Sequence, residues 1–206
     1  CMSAILPKEL RKGQLVDAAI KVFAAKGYRS ASIADIIEAA GVARGTFYLY
    51  FGSKLDVFHA VMDRYVELFK ERVQSELGRS YNNPLRVRQT MRESVLDWLR
   101  FYSQNKDLAK IVFREATAIE PDYEQRCYGL LEECFQHWRE TVVKFQKIGF
   151  VRTDVDPGFL NMVFSGVLIH VVLHYVIPNP NPDLEMIADQ WISFVESGVK
   201  ARGWHF

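Results

Sequence analysis

The sequence predicts an all-α protein, in which a small three-helix N-terminal domain is followed by a larger helical body. Apolar residues recur three and four positions apart along most of the 206 residues, which is the spacing of one helix face. Clusters of Gly, Pro and Asn separate these segments, and no segment alternates as a strand does. Residues 1–54 carry eight Lys and Arg against four Asp and Glu, whereas the remainder carries 18 against 21. The N-terminal domain therefore suits an anionic partner.

The first two helices are marked by their ends. An apolar stripe predicts helix 1 over Arg11–Lys26, and Gly27 ends it. Ser32 stands where the N-cap of helix 2 is expected, and Asp35 three residues later makes a variant of the capping box. The apolar spacing then continues up to Gly41, a residue that commonly ends a helix in the left-handed conformation.

The third helix combines a small buried face with side chains that suit a DNA groove. Phe47 and Phe51, four residues apart, supply the buried face. Arg44 can pair with guanine edges, and Thr residues can contact a thymine methyl group or a phosphate. Tyr hydroxyls and lysines fix the register on the phosphate backbone. The residues that we predict to contact DNA are Ser32, Arg44, Gly45, Thr46, Tyr48, Tyr50 and Lys54.

The string GVARGTFYLYFGSK at 41–54 resembles the recognition-helix signature of the tetracycline-repressor (TetR) family. The specific resemblance covers about residues 10–55. Ala43 stands where many members have a capping Ser, and the loss of an N-cap costs about 1 kcal/mol. The resemblance implies a helix-turn-helix DNA-binding domain at 1–53 and a helical effector-binding and dimerisation domain at 54–206.

The sequence predicts that the body consists of a series of long helices. Ser53 and Asp56 form another S-x-x-D start, which places Lys54 in the first turn of the next helix. The loops 78–84 and 178–182 are rich in Asn and Pro, and the second of them cannot be helical. The predicted helices are 54–77, 85–104, 108–118, about 120–148, 157–177 and about 183–201.

The segment Phe159–Ile177 is strongly apolar, so a membrane span has to be considered. Polar residues interrupt it, and no basic cluster marks a cytoplasmic end, so we expect no membrane contact. In the TetR family the last two helices pair with those of a second copy, which would explain a helix that is apolar all round. A stable monomer that uses the same residues as core is the alternative. The residues that we predict at a homodimer interface are Gly166, His174, Trp191, Phe194 and Val195.

The body is also rich in aromatic residues. In TetR-like proteins the body helices enclose an effector pocket that is usually apolar, and ligand sites in helical bundles have this character in general. For each aromatic residue, ordinary core packing is the alternative. The predicted pocket residues are Trp98, Tyr102, Phe113, Tyr128, Phe135, Trp138 and His170.

Metal and redox chemistry receive little support from the sequence. His170 and His174 share a helix face, which can bind zinc, but no H-E-x-x-H arrangement is present. We therefore expect no metal and no cofactor. Cys127 and Cys134 lie seven residues apart on one predicted helix, which favours inert core thiols over redox sensing. No secretory signal precedes the first helix, so we expect a cytoplasmic protein.

The sequence contains no nucleotide-binding loop, no G-x-S-x-G motif and no zinc-ligand spacing, so we expect no enzyme. The predicted function is that of a DNA-binding transcriptional regulator. Its expected partners are a pseudo-palindromic double-stranded operator, a second copy of the chain and a small, largely apolar effector that releases a repressor. The alternative is a DNA-bound adaptor that responds to a protein partner and senses no small molecule.

Overall fold

The computed structural model describes residues 8–83, 85–116, 119 and 121–199, with the backbone alone for residues 121–128, 130, 131 and 199. Within this described part the structure is helical and contains no β-strand, so the predicted all-α class is confirmed. The helices Lys106–Ile111 and Pro157–Val171 each continue into a wider π-helical turn, at Val112–Ala116 and Val172–Val176. The helices are α1 (Lys8–Lys26), α2 (Ile33–Ala40), α3 (Arg44–Tyr48), α4 (Lys54–Leu77), α5 (Val87–Gln104), α6 (Lys106–Ile111), α7 (Pro121–Lys147), α8 (Pro157–Val171) and α9 (Leu184–Val199).

Helix starts that the sequence marks with capping residues are confirmed. The Asp35 N–H donates to Ser32 Oγ at 3.1 Å, and the Ser32 N–H donates to Asp35 Oδ2 at 2.8 Å, which completes the capping box. Ser53 Oγ accepts from the Asp56 N–H at 3.1 Å at the start of α4. Asp156 and Asp183 cap α8 and α9 in the same way, at 2.9 and 3.0 Å.

Other boundaries differ from the prediction. Helix α1 begins at Lys8 rather than at residue 11. Helix α5 begins two residues later than predicted, because the Arg86 N–H donates to the Asn83 carbonyl at 3.0 Å and prolongs the turn. Helix α6 begins directly after Asn105, whose side-chain amide donates to the Phe101 carbonyl at 2.8 Å. The break that the sequence predicts over residues 105–107 is therefore confined to one residue.

The described chain forms two compact units. The first comprises the described residues up to Phe69 together with those between Asp107 and Arg126. The second comprises Lys70–Lys106 and the described residues after Cys127. Helix α4 contributes residues to both units without a break. The predicted functional boundary after residue 53 stays a prediction.

In the first unit, α1 packs against α2 and the start of α4. Gln14 Nε2 donates to the Ala40 carbonyl at 2.7 Å, which ties α1 to the end of α2. The rings of Phe23, Tyr28 and Phe58 lie 4.9 to 5.8 Å apart and form the aromatic part of this core. One face of α1 and one face of α2 are buried in this core. This burial holds in place the segment that carries the predicted DNA contacts.

The second unit contains a carboxylate with no solvent exposure. Glu76 accepts from the Tyr81 hydroxyl at 2.5 Å and from the Ser94 hydroxyl at 2.9 Å. It also pairs with Arg72, and with Arg79 at 3.3 Å. A buried charge is tolerated when ion pairs and hydrogen bonds satisfy it, so this cluster fixes the end of α4 against α5.

Helix α8 leaves much of its apolar surface uncovered by its own chain. The run Pro157–Val176 is long and apolar enough to cross a membrane, but core helices of soluble proteins pass the same test. Only 17% of its most apolar stretch is buried, and Phe159 and Met162 are 60% and 73% exposed. Such a contiguous apolar face is typical of an interaction surface.

Cys134 is buried in the second unit and forms no disulfide with another described residue. Burial raises the pKa of its thiol to about 11, so the nucleophilic thiolate is scarce at neutral pH. This agrees with the prediction of an inert core thiol. Cys1 and the side chain of Cys127 lie outside the described residues.

We predict that the Asp35 capping box gives the first unit an acid-sensitive contribution to stability. Hydrogen bonds from Lys26, and from the backbone and hydroxyl of Ser32, lower the pKa of Asp35 to about 2. A lowered carboxyl pKa stabilises the folded state above about pH 4, and this stabilisation is lost as the pH falls towards 2. Asp35→Asn should therefore be less stable than wild type at pH 6, with a difference that shrinks between pH 4 and pH 2.

Thermal unfolding at pH 6, 4 and 3 checks this expectation. Glu38→Gln is the matched control, because Glu38 is an exposed carboxylate on the same helix whose side chain takes no part in the cap. This control should follow wild type at each pH. A deficit of Asp35→Asn that is the same at pH 6 and pH 3 would contradict the electrostatic origin.

Candidate nucleic-acid interface

The turn between α2 and α3 is a left-handed helix cap. Gly41 has φ +63°, a conformation that costs glycine little and other residues more. The Gly41 N–H donates to the Glu38 carbonyl at 3.1 Å, and the Val42 N–H donates to the Ile37 carbonyl at 3.3 Å. This is the Schellman pattern, which closes α2 and redirects the chain into α3 within three residues.

Helix α3 is held by burial rather than by its own ends. It spans five residues, and Ala43 at its N-cap makes no side-chain capping bond. Phe47 has no solvent exposure, Phe51 is 4% exposed, and their ring centroids are 5.8 Å apart. A helix this short is unstable alone in water, so these two rings fix its orientation.

The opposite face of α3 is open to solvent. Arg44 and Gly45 are exposed, and a Cβ added at Gly45 would meet no atom within 4 Å. Tyr48 is 46% exposed, and the Arg44 guanidinium lies 5.8 Å from the centre of its ring. Thr46 and Tyr50 are half-buried. The structure thus brings the predicted α3 residues onto one short surface with hydrogen-bond donors suited to base edges and phosphates.

Leu49 belongs to this surface and is absent from the sequence-based prediction. It is 78% exposed, between Tyr48 and Tyr50 at the end of α3. An exposed Leu can make apolar contact with a thymine methyl group in the major groove, as other apolar side chains do. Its position two residues after Phe47 could have indicated an outward-facing side chain, because residues two apart lie on different helix faces.

Two other predicted contacts have structural partners of their own. The Ser32 hydroxyl donates to Asp35 Oδ2 at 2.8 Å while it caps α2, so its one donor is already used. Lys54 Nζ donates to the carbonyls of Tyr28 at 2.7 Å and Ala31 at 2.8 Å, and lies 4.5 Å from the centre of the Tyr28 ring. The structure therefore assigns both residues to holding the first unit together, and their predicted DNA contacts would have to compete with these bonds.

Two of the cavities in the second unit share the side chains of Thr141 and Phe145 in their walls, and a third, open one on α7 is lined by Glu132, Glu133, Gln136, His137 and Glu140. An apolar cavity of about 40 Å³ lies among α5, α7, α8 and α9. A more polar cavity of about 180 Å³ lies between α7 and the loop after α4. Its walls include Arg79, Tyr81 and Lys144.

The residues that the sequence predicts for one effector pocket do not line a common cavity among these two. Trp138 lines the apolar cavity. His170 is exposed on α8 and lines neither of these two cavities, so its predicted place in a pocket stays a prediction. The side chain of Tyr128 lies outside the described residues. Four further candidates line neither of the two cavities, namely Trp98, Tyr102, Phe113 and Phe135.

The predicted interface residues divide into two groups. Gly166, His174 and Phe194 are exposed, and Phe194 is 65% accessible. Trp191 and Val195 are 9% and 2% exposed, because they pack inside their own unit, where the Trp191 ring lies 5.6 Å from that of Phe164. This burial corrects the prediction that Trp191 and Val195 form a surface for a partner.

Comparison with known proteins agrees with the geometry of α2 and α3. The model of bacterial regulatory proteins of the tetR family matches residues 15–61. The activator FasR of Mycolicibacterium smegmatis is 31% identical over 129 residues, which are 63% of this chain and 57% of that protein. These matches identify residues 15–61 as the part of the chain that carries the TetR-family signature. The chain spans little more than half the length of FasR in this match.

Two further comparisons cover most of the chain. The fatty acid metabolism regulator protein of Bacillus subtilis is 22% identical over 190 residues, which are 90% of this chain and 94% of that protein. The crystal structure of the regulator FadR from Bacillus subtilis in complex with stearoyl-CoA has a TM-score of 0.67 and 20% identity. It covers 90% of this chain and 98% of FadR, and it shows the shared fold. These relatives are DNA-binding regulators and not enzymes, as the sequence predicts.

We predict that Arg44 determines one base pair in each half-site. Arg44→Ala should weaken binding to the preferred duplex by about 1–3 kcal/mol and relax the preference at that pair, because a bidentate contact to guanine is lost. Tyr48→Phe is the matched variant, since it removes a hydroxyl suited to phosphate and should weaken all sequences alike. Titrations against the preferred duplex and its single-base variants separate the two effects. An unchanged base preference in Arg44→Ala would show that Arg44 does not read sequence.

Proposed function

We propose that this TetR-family regulator is a cytoplasmic repressor that binds a pseudo-palindromic operator as a homodimer and is released by an effector with an acyl chain. The DNA-binding part of this proposal rests on the exposed face of α3. Arg44, Tyr48 and Leu49 stand together there on a helix that Phe47 anchors from below. This combination supplies a donor for guanine, a phosphate contact and an apolar contact for thymine.

The dimer is supported by the uncovered face of α8. Phe159 and Met162 are largely exposed on this face. Gly166 lies on the same helix, and a Cβ added there would meet no atom within 4 Å, so a second helix has room to approach. Phe194 on α9 adds a further exposed ring. We propose that a second copy of the chain covers this face. A two-fold symmetric operator requires two copies, because two α3 helices must reach successive major grooves about 34–36 Å apart.

The effector is supported by the apolar cavity and by the names of the relatives. Trp138, Phe145 and Phe164 contribute aromatic walls, as ligand sites in helical bundles often have. One relative is named for fatty acid metabolism, and a structure of similar fold holds stearoyl-CoA. An acyl chain is therefore the effector chemistry that we propose for this chain.

Coupling between effector and DNA would proceed through α4. Its first turn holds the loop before α2 through Lys54, and its last turns carry the buried Glu76. A second connection lies within the first unit, where Glu115 in the π-helical turn after α6 accepts from the Tyr28 N–H at 2.6 Å. An effector shifts the balance only if it binds the DNA-incompetent state more tightly than the competent one.

A DNA-bound adaptor without a small-molecule effector is the second candidate function. The observation that favours it is the size of the apolar cavity, which at about 40 Å³ has room for only a few waters. The exposed apolar face of α8 would then serve a protein partner. An acyl effector requires this cavity to widen, for which the adaptable side chain of Met91 in its wall is suited.

An operator titration with and without palmitoyl-CoA tests the proposal. At saturating ligand we expect operator affinity to fall roughly 5- to 150-fold, which corresponds to a coupling of about 1–3 kcal/mol. Trp138→Ala should bind the operator as wild type does without ligand and should respond less to it. Because FasR is named an activator, transcription from the same operator is also measured, which shows whether this chain represses or activates. Identical wild-type titrations with and without ligand, together with intact operator binding, would favour the adaptor.

A further inference from the structure

Two neighbouring cavities of the second unit share Thr141 and Phe145 in their walls and differ in chemistry. The walls of the apolar cavity are formed almost entirely by carbon atoms. They include Trp138, Phe150, Leu160, Phe164 and Ile192. The neighbouring cavity carries Arg79, Asn82, His137 and Lys144 in its walls. An apolar cavity beside a polar one suits an amphiphilic molecule that displaces the side chains shared by both.

Some polar groups of the second cavity are already satisfied. Arg79 donates to Asp97 at 2.5 Å and to Glu76 at 3.3 Å, so acidic partners neutralise its charge. Tyr81 donates its hydroxyl to Glu76 at 2.5 Å. These two residues form a structural wall, and the recognition of a ligand depends on the remaining groups.

Lys144 and His137 are the basic groups of this cavity that remain available. Lys144 is exposed and makes no ion pair with any described residue. His137 lies two turns earlier on α7, and its Nε2 is buried without a described hydrogen-bond partner. Buried polar atoms usually have a partner, so an unpartnered imidazole nitrogen beside a cavity points to a group that it binds there.

The nearest carboxylate on α7 does not cancel this charge. Glu140 stands one turn before Lys144, but it accepts from Gln136 Nε2 at 2.9 Å. With Glu132 and Glu133 it lines a separate, open cavity that His137 also lines, and none of these three carboxylates lines the cavity that holds Lys144. An ammonium group offers three donors and no acceptor, so its partner must be an acceptor, and an anion gains most.

We propose that Lys144 and His137 bind the anionic end of the effector, whose acyl chain enters the adjoining apolar cavity. This inference rests on the proposed effector class and assigns its polar end to a specific site. The anion is a carboxylate in a free fatty acid or a phosphate in an acyl-CoA, and Lys144 recognises the negative charge that both share.

Binding measurements on the full chain test the site. Palmitate, palmitoyl-CoA, neutral hexadecanol and free CoA are titrated below their micelle concentrations against wild type, Lys144→Met and Lys144→Arg. Lys147→Met is the matched control, because Lys147 is an exposed lysine on the same helix that lines neither cavity. Unliganded thermal unfolding verifies that the four proteins are equally folded.

We expect Lys144→Met to bind the acyl anions roughly tenfold more weakly or worse, as the loss of a charge-assisted hydrogen bond predicts. Lys144→Arg and Lys147→Met should bind them as wild type does, and hexadecanol should bind all four proteins equally. A defect with palmitate assigns the site to the carboxylate, and a defect with palmitoyl-CoA alone assigns it to the phosphates.

Two outcomes would overturn the inference. Equal binding of the acyl anions to Lys144→Met and wild type would remove Lys144 from the site while leaving the effector class intact. If wild type binds none of the acyl ligands, the effector half of the proposed function fails together with the site. These two outcomes are distinguished by the wild-type titration alone.

Discussion

The burial of Phe47 is the constraint on which the DNA-binding surface depends. Helix α3 has five residues and no side-chain cap, so it lacks the length and the end contacts that stabilise a helix in water. Complete burial of this ring supplies the missing stability and also sets the rotation of the helix about its axis. With Phe47 fixed inwards, Arg44 and Tyr48 have to face solvent. The chemistry of recognition therefore follows from one hydrophobic contact beneath it.

Helix α4 meets two kinds of anchor along its length. At its first turn, Lys54 donates hydrogen bonds to backbone carbonyls of the loop before α2. Salt screens these direct hydrogen bonds less than it screens an ion pair on the surface. Near its end, Glu76 is held by two arginines and two hydroxyl groups. Both anchors are polar, directional interactions. The proposed coupling through α4 would act on these two anchors.

The sequence predicted those features that local contacts decide. Ser32 and Ser53 mark helix starts because a cap is made within three residues of chain. The exposure of Arg44 and Tyr48 followed from the spacing around Phe47. Tertiary packing decided the rest, since burial of Trp191 and exposure of His170 depend on helices far apart in sequence. The lining of the cavities and the bonds of Lys54 could not be read from periodicity for the same reason.

If two copies of this α3 surface read one two-fold symmetric site, the DNA that the protein selects must itself be symmetric. Selection of bound sequences from random duplex DNA, with the purified 206-residue chain at physiological salt, measures this. We expect enrichment of a pseudo-palindrome whose half-sites are centred about one helical turn apart, or slightly more. Enrichment of a single unrepeated half-site, or of no sequence at all, would contradict it.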